Sequence, residues 1–171
     1  MGGGLNKKIL SQIDLHFGKI GMPKGFEIDR NVLQQDIINH LILDCPYPFS
    51  KEWDKLNTYL REHIYLEYNF TLVNKLTTGY TFKTNENSYP EKDVNEVDLK
   101  NSPDYVMLYG VSVKNCFVRI YYDDNRRRGR SWDIELKNNN FIMFPSSQFY
   151  FISNKNNDNL NTILKTTYEF I

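Results

Sequence analysis

Histidine is scarce in this chain: there are three, His16, His40 and His63, and none follows His63. A nucleophile that needs an imidazole base, or a metal site that needs two neutral imidazoles, has no such group in the remainder of the sequence. Cysteine is equally sparse. Cys45 and Cys116 stand far apart without metal-ligand spacing, and read as two reduced, buried or half-buried thiols. No apolar run approaches the roughly 18 residues that a membrane span needs. The start MGGGLNKKIL lacks the apolar core of a secretory signal, and Asn6 stands where myristoylation takes Ser or Thr. A cytosolic origin is expected. Charge of one sign is lacking too: 21 Lys and Arg balance 21 Asp and Glu. That balance removes any overall pull toward nucleic acid or an acidic membrane. There is no GxxxxGK[ST] phosphate loop and no G-x-S-x-G elbow, and Ser146 and Ser147 have no histidine near them in sequence.

Aromatic residues are abundant, with 12 Tyr and 11 Phe, and hydrophobic residues make up 40%. Aromatic side chains suit the half-buried surface of a pleated sheet. Asn is frequent alongside Lys, Ile and Tyr, a bias that fits an AT-rich coding genome such as that of a phage, a small marine bacterium or a parasite. The length of 171 residues suits one compact unit. Leu5, Ile9, Ile13 and Phe17 recur at helical spacing, and Gly18, Gly21, Pro23 and Gly25 follow as breakers. Asp29 is placed to cap a second helix running to about Asp44, and Ser50 a third that carries Trp53, Leu56, Leu60 and Ile64. Residues 1–65 therefore read as a three-helix region.

From Tyr65 the period changes. Residues 66–73 and 80–83 read as strands joined through Thr77-Thr78-Gly79, and the polar stretch 84–103 reads as a surface excursion. Strand patterns follow at 105–113, 116–122, 132–136, 141–144, 148–153 and 162–170, with turn signals between them. Residues 66–171 thus predict a jelly-roll β domain. The fold class expected is α+β, with N-terminal helices packed on a C-terminal antiparallel double-stranded β-helix.

Three clusters invite a functional reading. Arg126, Arg127, Arg128 and Arg130 form the densest charge, offset by Asp123, Asp124 and Asp133. They read as a solvated hairpin tip or as a grip for an acidic protein partner. Glu91, Asp93, Glu96 and Asp98 read as a solvated acidic loop, since neither spacing nor glycine matches a calcium loop. Phe149 and Phe151 would share one strand face and Tyr150 the other.

Four stretches carry a resemblance. FVRIYYDDN at 117–125, GRSWDIEL at 129–136, FIMFPS at 141–146 and the closing pattern at 162–170 resemble the double-stranded β-helix of prolyl-hydroxylase-type 2-oxoglutarate/Fe(II) oxygenases. That family holds iron with His-x-Asp upstream of these strands and with a histidine shortly after Phe-Pro-Ser. Here the upstream stretch 107–112 is MLYGVS, and the downstream position is Tyr150. The family binds the oxoglutarate carboxylate with Arg or Lys on the closing strand, where Asn161 and Lys165 stand. The resemblance so implies the fold with a degenerate metal position at Tyr150, no metal and no cofactor.

The reading that follows is a non-enzymatic structural or assembly protein, a phage or viral particle subunit (neck, tail, baseplate or capsid-associated). Its partners would be other protein subunits of a large multimeric assembly, reached through Arg126, Arg127, Arg128 and Arg130, with no membrane and no nucleic acid, and its location the virion. Two rivals stand beside it: an active 2-oxoglutarate/Fe(II)-dependent hydroxylase with an atypical site, and a nucleic-acid-binding module using the arginines.

Overall fold

The stretch YVMLYGVS has no polar face, which suits a strand covered on both sides. It forms the middle strand of the larger of two sheets. The computed structural model describes residues 5, 6, 8, 15–19, 28–43, 50–69, 71–122, 130–155 and 160–170. Its elements in order are β1 (His16–Lys19), α1 (Arg30–Ile42), α2 (Lys51–Tyr68), β2 (Leu72–Phe82), a 3-10 turn (Leu99–Asn101), β3 (Tyr105–Ser112), β4 (Cys116–Tyr122), β5 (Arg130–Leu136), β6 (Asn140–Pro145), β7 (Phe149–Asn154) and β8 (Asn161–Phe170). The larger sheet runs β1-β6-β3-β8-β2 and the smaller β5-β4-β7, with every pairing antiparallel. Two helices on a mostly antiparallel β structure agree with an oxygenase-like jelly roll.

Strand alternation sorts the core into two layers. Met107, Tyr109, Val111, Phe141, Met143, Leu164 and Tyr168 cluster with Leu33, Ile37, Leu56, Leu60 and Ile64 of the helices. Their neighbours Val106, Leu108, Ile142, Phe144 and Ile163 point the other way, toward Val118, Ile120, Tyr150 and Ile152 of the smaller sheet. Each strand of the larger sheet thus feeds both layers, because successive side chains face opposite sides. Arg30 anchors α1 by donating from Nε to the Val111 carbonyl at 2.7 Å.

Four expectations are corrected. His16–Lys19 is an edge strand on β6, with His16 opposite Met143, although Phe17 falls on the expected helical stripe. Ladder bonding to β6 overrides the local period, so the segment before residue 65 supplies two described helices and a strand. Second, α2 continues to Tyr68, and Asn69 ends it in the left-handed conformation (φ 60°). Residues 66–68 are therefore helical, and the strand starts at Leu72. Third, β2 runs unbroken through Thr77-Thr78-Gly79. Gly79 serves close packing there, since a Cβ would meet Ile37 Cγ2 at 2.6 Å and the Ile163 carbonyl oxygen at 2.8 Å. Fourth, residues 84–103 do not simply cross the surface. Asn87 bridges to Ser153 and Glu91 to Tyr150, so the segment lies along β7. The caps at Asp29 and Ser50 stand where expected. Asp29 accepts from the amides of Asn31 and Val32, while the Ser50 amide donates to the buried Asp36 carboxylate at 3.0 Å.

Candidate site at the barrel mouth

Three strands and one connection meet at one end of the space between the sheets. β2 brings Tyr80, β7 brings Tyr150, β8 brings Lys165, and the connection 83–104 lays Glu91 and Asp93 across them. Lys165 shares its strand face with Ile163, the face turned toward the smaller sheet. The connection is held by a short ladder. The Glu91 amide donates to the Tyr150 carbonyl at 3.0 Å, and the Tyr150 amide to the Glu91 carbonyl at 2.9 Å. Because side chains two apart on an extended chain share a face, Glu91 and Asp93 both reach the mouth.

The side chains form one polar cluster. Lys165 Nζ lies 2.6 Å from Asp93 Oδ1, with side-chain exposures of 8% and 17%. Tyr150 donates its hydroxyl to Asp93 Oδ2 at 3.1 Å. Tyr80 donates to Glu91 Oε1, and the two phenol oxygens are 3.0 Å apart. The Lys165 ammonium also lies 5.6 Å from the Tyr150 ring centre and 5.8 Å from that of Tyr80. Burial, and with it the nearby Asp93 carboxylate, pushes the Tyr150 phenol far above its usual range. Burial and the hydrogen bond to Glu91 do the same at Tyr80. Both phenols therefore keep their protons at neutral pH and act as donors. A lysine so buried needs a counter-charge, and Asp93 supplies it.

The sequence singled out Tyr150, and it is central here, buried with its hydroxyl in the cluster. The upstream stretch 107–112 contributes no side chain to this cluster. Met107 and Tyr109 face the helices and Leu108 the inter-sheet core. The carboxylates that lie against Tyr150 are Glu91 and Asp93, which by sequence alone belong to a solvated loop. Their i, i+2 spacing was the available signal, and it needed the β7 pairing to give it meaning. Asn161 is not at the mouth. It hydrogen-bonds Asn154 and the backbone of Lys114 toward the opposite end of β8, leaving Lys165 as the cation on this strand face. Arg126, Arg127 and Arg128 lie outside the described residues, and Arg130 opens β5 opposite Tyr122. Phe149 and Tyr150 do take opposite faces: Phe149 is 46% exposed and Tyr150 fully buried.

A cavity of about 500 Å³ near the end of α2, lined by Arg61, Tyr65 and Leu72 among others, is separate from this cluster.

A ferrous facial site needs two imidazoles and a carboxylate. All three histidines sit elsewhere: His16 on β1, His40 on α1, and His63 on α2 beside Tyr59 and Phe141. Among the described residues no group of three His, Cys, Asp or Glu side chains is placed to hold a metal. Asp93 already carries the Lys165 ammonium, and Glu91 accepts from Tyr80. The residues present do not fit iron held in that way.

Comparison with known proteins gives no matching family model and no matching curated sequence. Solved structures do match. The viral collagen prolyl hydroxylase vCPH from Paramecium Bursaria Chlorella virus-1 superposes with a TM-score of 0.61 at 10% identity, over 90% of this chain and 94% of that one. The chain has an oxygenase-like fold. AviO1 from Streptomyces viridochromogenes Tue57 gives 0.60 at 10% identity, over 90% of this chain and 89% of that one. The non-heme alpha ketoglutarate dependent epimerase SnoN gives 0.54 at 7% identity, and there the chain spans 56% of the other protein's length. These neighbours overturn the expectation of a non-enzymatic phage or viral structural subunit. Proteins sharing this oxygenase-like fold include a hydroxylase and an epimerase, and nothing found supports a virion role. No helix among the described residues is long and apolar enough to cross a membrane.

Proposed function

We propose that the barrel mouth binds a 2-oxo acid, making this chain an atypical member of the hydroxylase-like proteins whose fold it shares. The reading keeps the oxo-acid end of such a site and replaces its iron end. The observation that carries it is Lys165, an ammonium 8% exposed on the closing strand between two protonated phenols. An ammonium at that depth offers a carboxylate a partner in low dielectric, where the attraction is several times stronger than in water. Tyr80 and Tyr150 would orient the ligand by donating to its remaining oxygens, since burial holds both hydroxyls protonated. The fully buried Ile163, on the same face of β8, and Phe144, packed against the Tyr150 ring, keep water from the base of the site. No step runs through iron, because among the described residues no facial ligand set is placed to hold it.

Calorimetric titration with 2-oxoglutarate tests it, on the parent protein and on Lys165→Met, with and without added Fe(II). The expected result is saturable binding by the parent, independent of metal and lost in the variant. Absence of binding by the parent at millimolar ligand refutes the reading. Oxoglutarate consumption measured in the same samples separates an enzyme from a binder, and iron-dependent consumption would overturn the metal-free form of the site.

A further inference from the structure

The segment that closes the mouth is attached in an unusual way for a buried site. Residues 87–94 contribute no fully buried side chain, and Tyr89 is 88% exposed. Their attachments to β7 and the turn after β6 are almost wholly polar. Ser88 donates its amide to the Ile152 carbonyl at 2.9 Å, and its hydroxyl accepts from the Ile152 amide at 2.7 Å. The amides of Asp93 and Val94 both donate to the Ser146 carbonyl, at 3.1 and 3.0 Å. Two isolated bridges hold the segment where a continuous strand pairing would hold it more firmly, and Pro90, between them, has no amide to donate. Segments with few buried apolar contacts and many exposed backbone bonds open at low cost. Yet the tip of this segment places Asp93 on the deepest cation of the site.

We propose that residues 87–94 are a displaceable plug, in which Asp93 occupies Lys165 as an internal stand-in for the ligand carboxylate, so that the site fills by exchange and the plug lifts when it does. This rests on the reading of the mouth as a carboxylate site. The exchange conserves charge pairing: Lys165 gives up one carboxylate and takes another, so the buried ammonium is never left alone. A ligand without a carboxylate has nothing to offer Lys165 and does not displace Asp93. Tyr150, which donates to Asp93, is released in the same movement and becomes free to donate to the incoming acid. Glu91 leaves Tyr80 likewise, since it sits two residues away on the same stretch. The 22-residue link between β2 and β3 (residues 83–104) leaves chain enough on both sides for that movement while both strands stay in place.

Amide hydrogen exchange on the intact chain tests it, with 2-oxoglutarate as the probe and its methyl diester as the uncharged control. The expected result is faster exchange at the amides of Ser88, Glu91, Asp93 and Val94 on adding the acid, with no change on adding the diester. Asp93→Asn, which removes the competing charge and keeps the shape, is expected to bind 2-oxoglutarate about tenfold more tightly or better, the gain set by how fully Asp93 occupies Lys165. If the parent binds the acid while these amides stay protected, the plug is refuted and the carboxylate site stands. If neither protein binds the acid, both fall. Should Asp93→Asn fold poorly, the exchange experiment on the parent still decides.

Discussion

Replacing Lys165 with Met removes the ammonium and keeps the buried stem. Asp93 then faces Tyr150 and Glu91 with no cation. Removing one partner of a buried ion pair costs about 3–5 kcal/mol, because the other charge is left in a poor solvent. Here the pair is closed on one side only: Lys165 is 8% exposed and Asp93 17%. Asp93 also keeps the Tyr150 hydroxyl at 3.1 Å, and the plug can tilt it toward water. Those features place the cost at the lower end, about 3 kcal/mol. For a chain of this size that is a fall in melting temperature of about 6–12 °C. Asp93→Asn added to Lys165→Met removes the stranded charge. The double variant should therefore be more stable than the sum of the two singles by about 2 kcal/mol, as expected for groups in direct contact. Thermal and urea unfolding of the four proteins give the cycle. A Lys165→Met protein within 0.5 kcal/mol of the parent, or two strictly additive substitutions, would refute the account of the mouth as a buried charge pair.

Gly110→Ala is expected to cost about 2 kcal/mol or more in urea unfolding, since its Cβ would sit 2.2 Å from the Lys137 carbonyl oxygen, a backbone atom that cannot step aside. Stability should decline as pH rises above about 9. Burial pushes the Cys116 thiol from 9.0 up to about 12 and the Tyr109 phenol from 10.0 up to about 12. Both are raised in the folded state, so the folded form holds protons that the unfolded chain releases first. Each group subtracts up to about 1.4 kcal/mol per pH unit between its unfolded and folded values, and a flat urea midpoint from pH 8 to 11 contradicts this. Asn69→Val should cost about 1 kcal/mol by forcing a β-branched residue to φ 60°, whereas Asn69→Gly should cost little; equal losses in thermal unfolding would show that the left-handed cap is unimportant.

Much of the β architecture was legible in local sequence. The short apolar runs at 105–112 and 141–144, and the asparagines between strands, mark elements whose bounds shift by a residue or two in the structure. Asn85, Asn115 and Asn139 adopt positive φ, as Asn69 does, so the asparagine bias supplies turns as well as composition. What failed were segments whose state is decided by a distant partner. Phe17 lies on a helical stripe and forms an edge strand because β6 offers an unpaired ladder. Thr77-Thr78-Gly79 looks like a turn and runs straight because α1 presses on Gly79.

The site divides in the same way. Residue identity alone determined that no histidine follows His63 and that Tyr150 would stand on the strand face opposite Phe149 and Phe151, without saying which face is buried. It also marked Lys165 as the cation on the closing strand. Only the tertiary structure decided what these groups are for one another. Asp93 and Lys165 are 72 residues apart in sequence, and no local period links them. Their pairing follows from the antiparallel stacking that lays the segment around Glu91 along β7 and turns Lys165 inward. A lone lysine in a strand and an acid in a polar loop become one buried pair because the low dielectric between the sheets leaves neither able to stand alone.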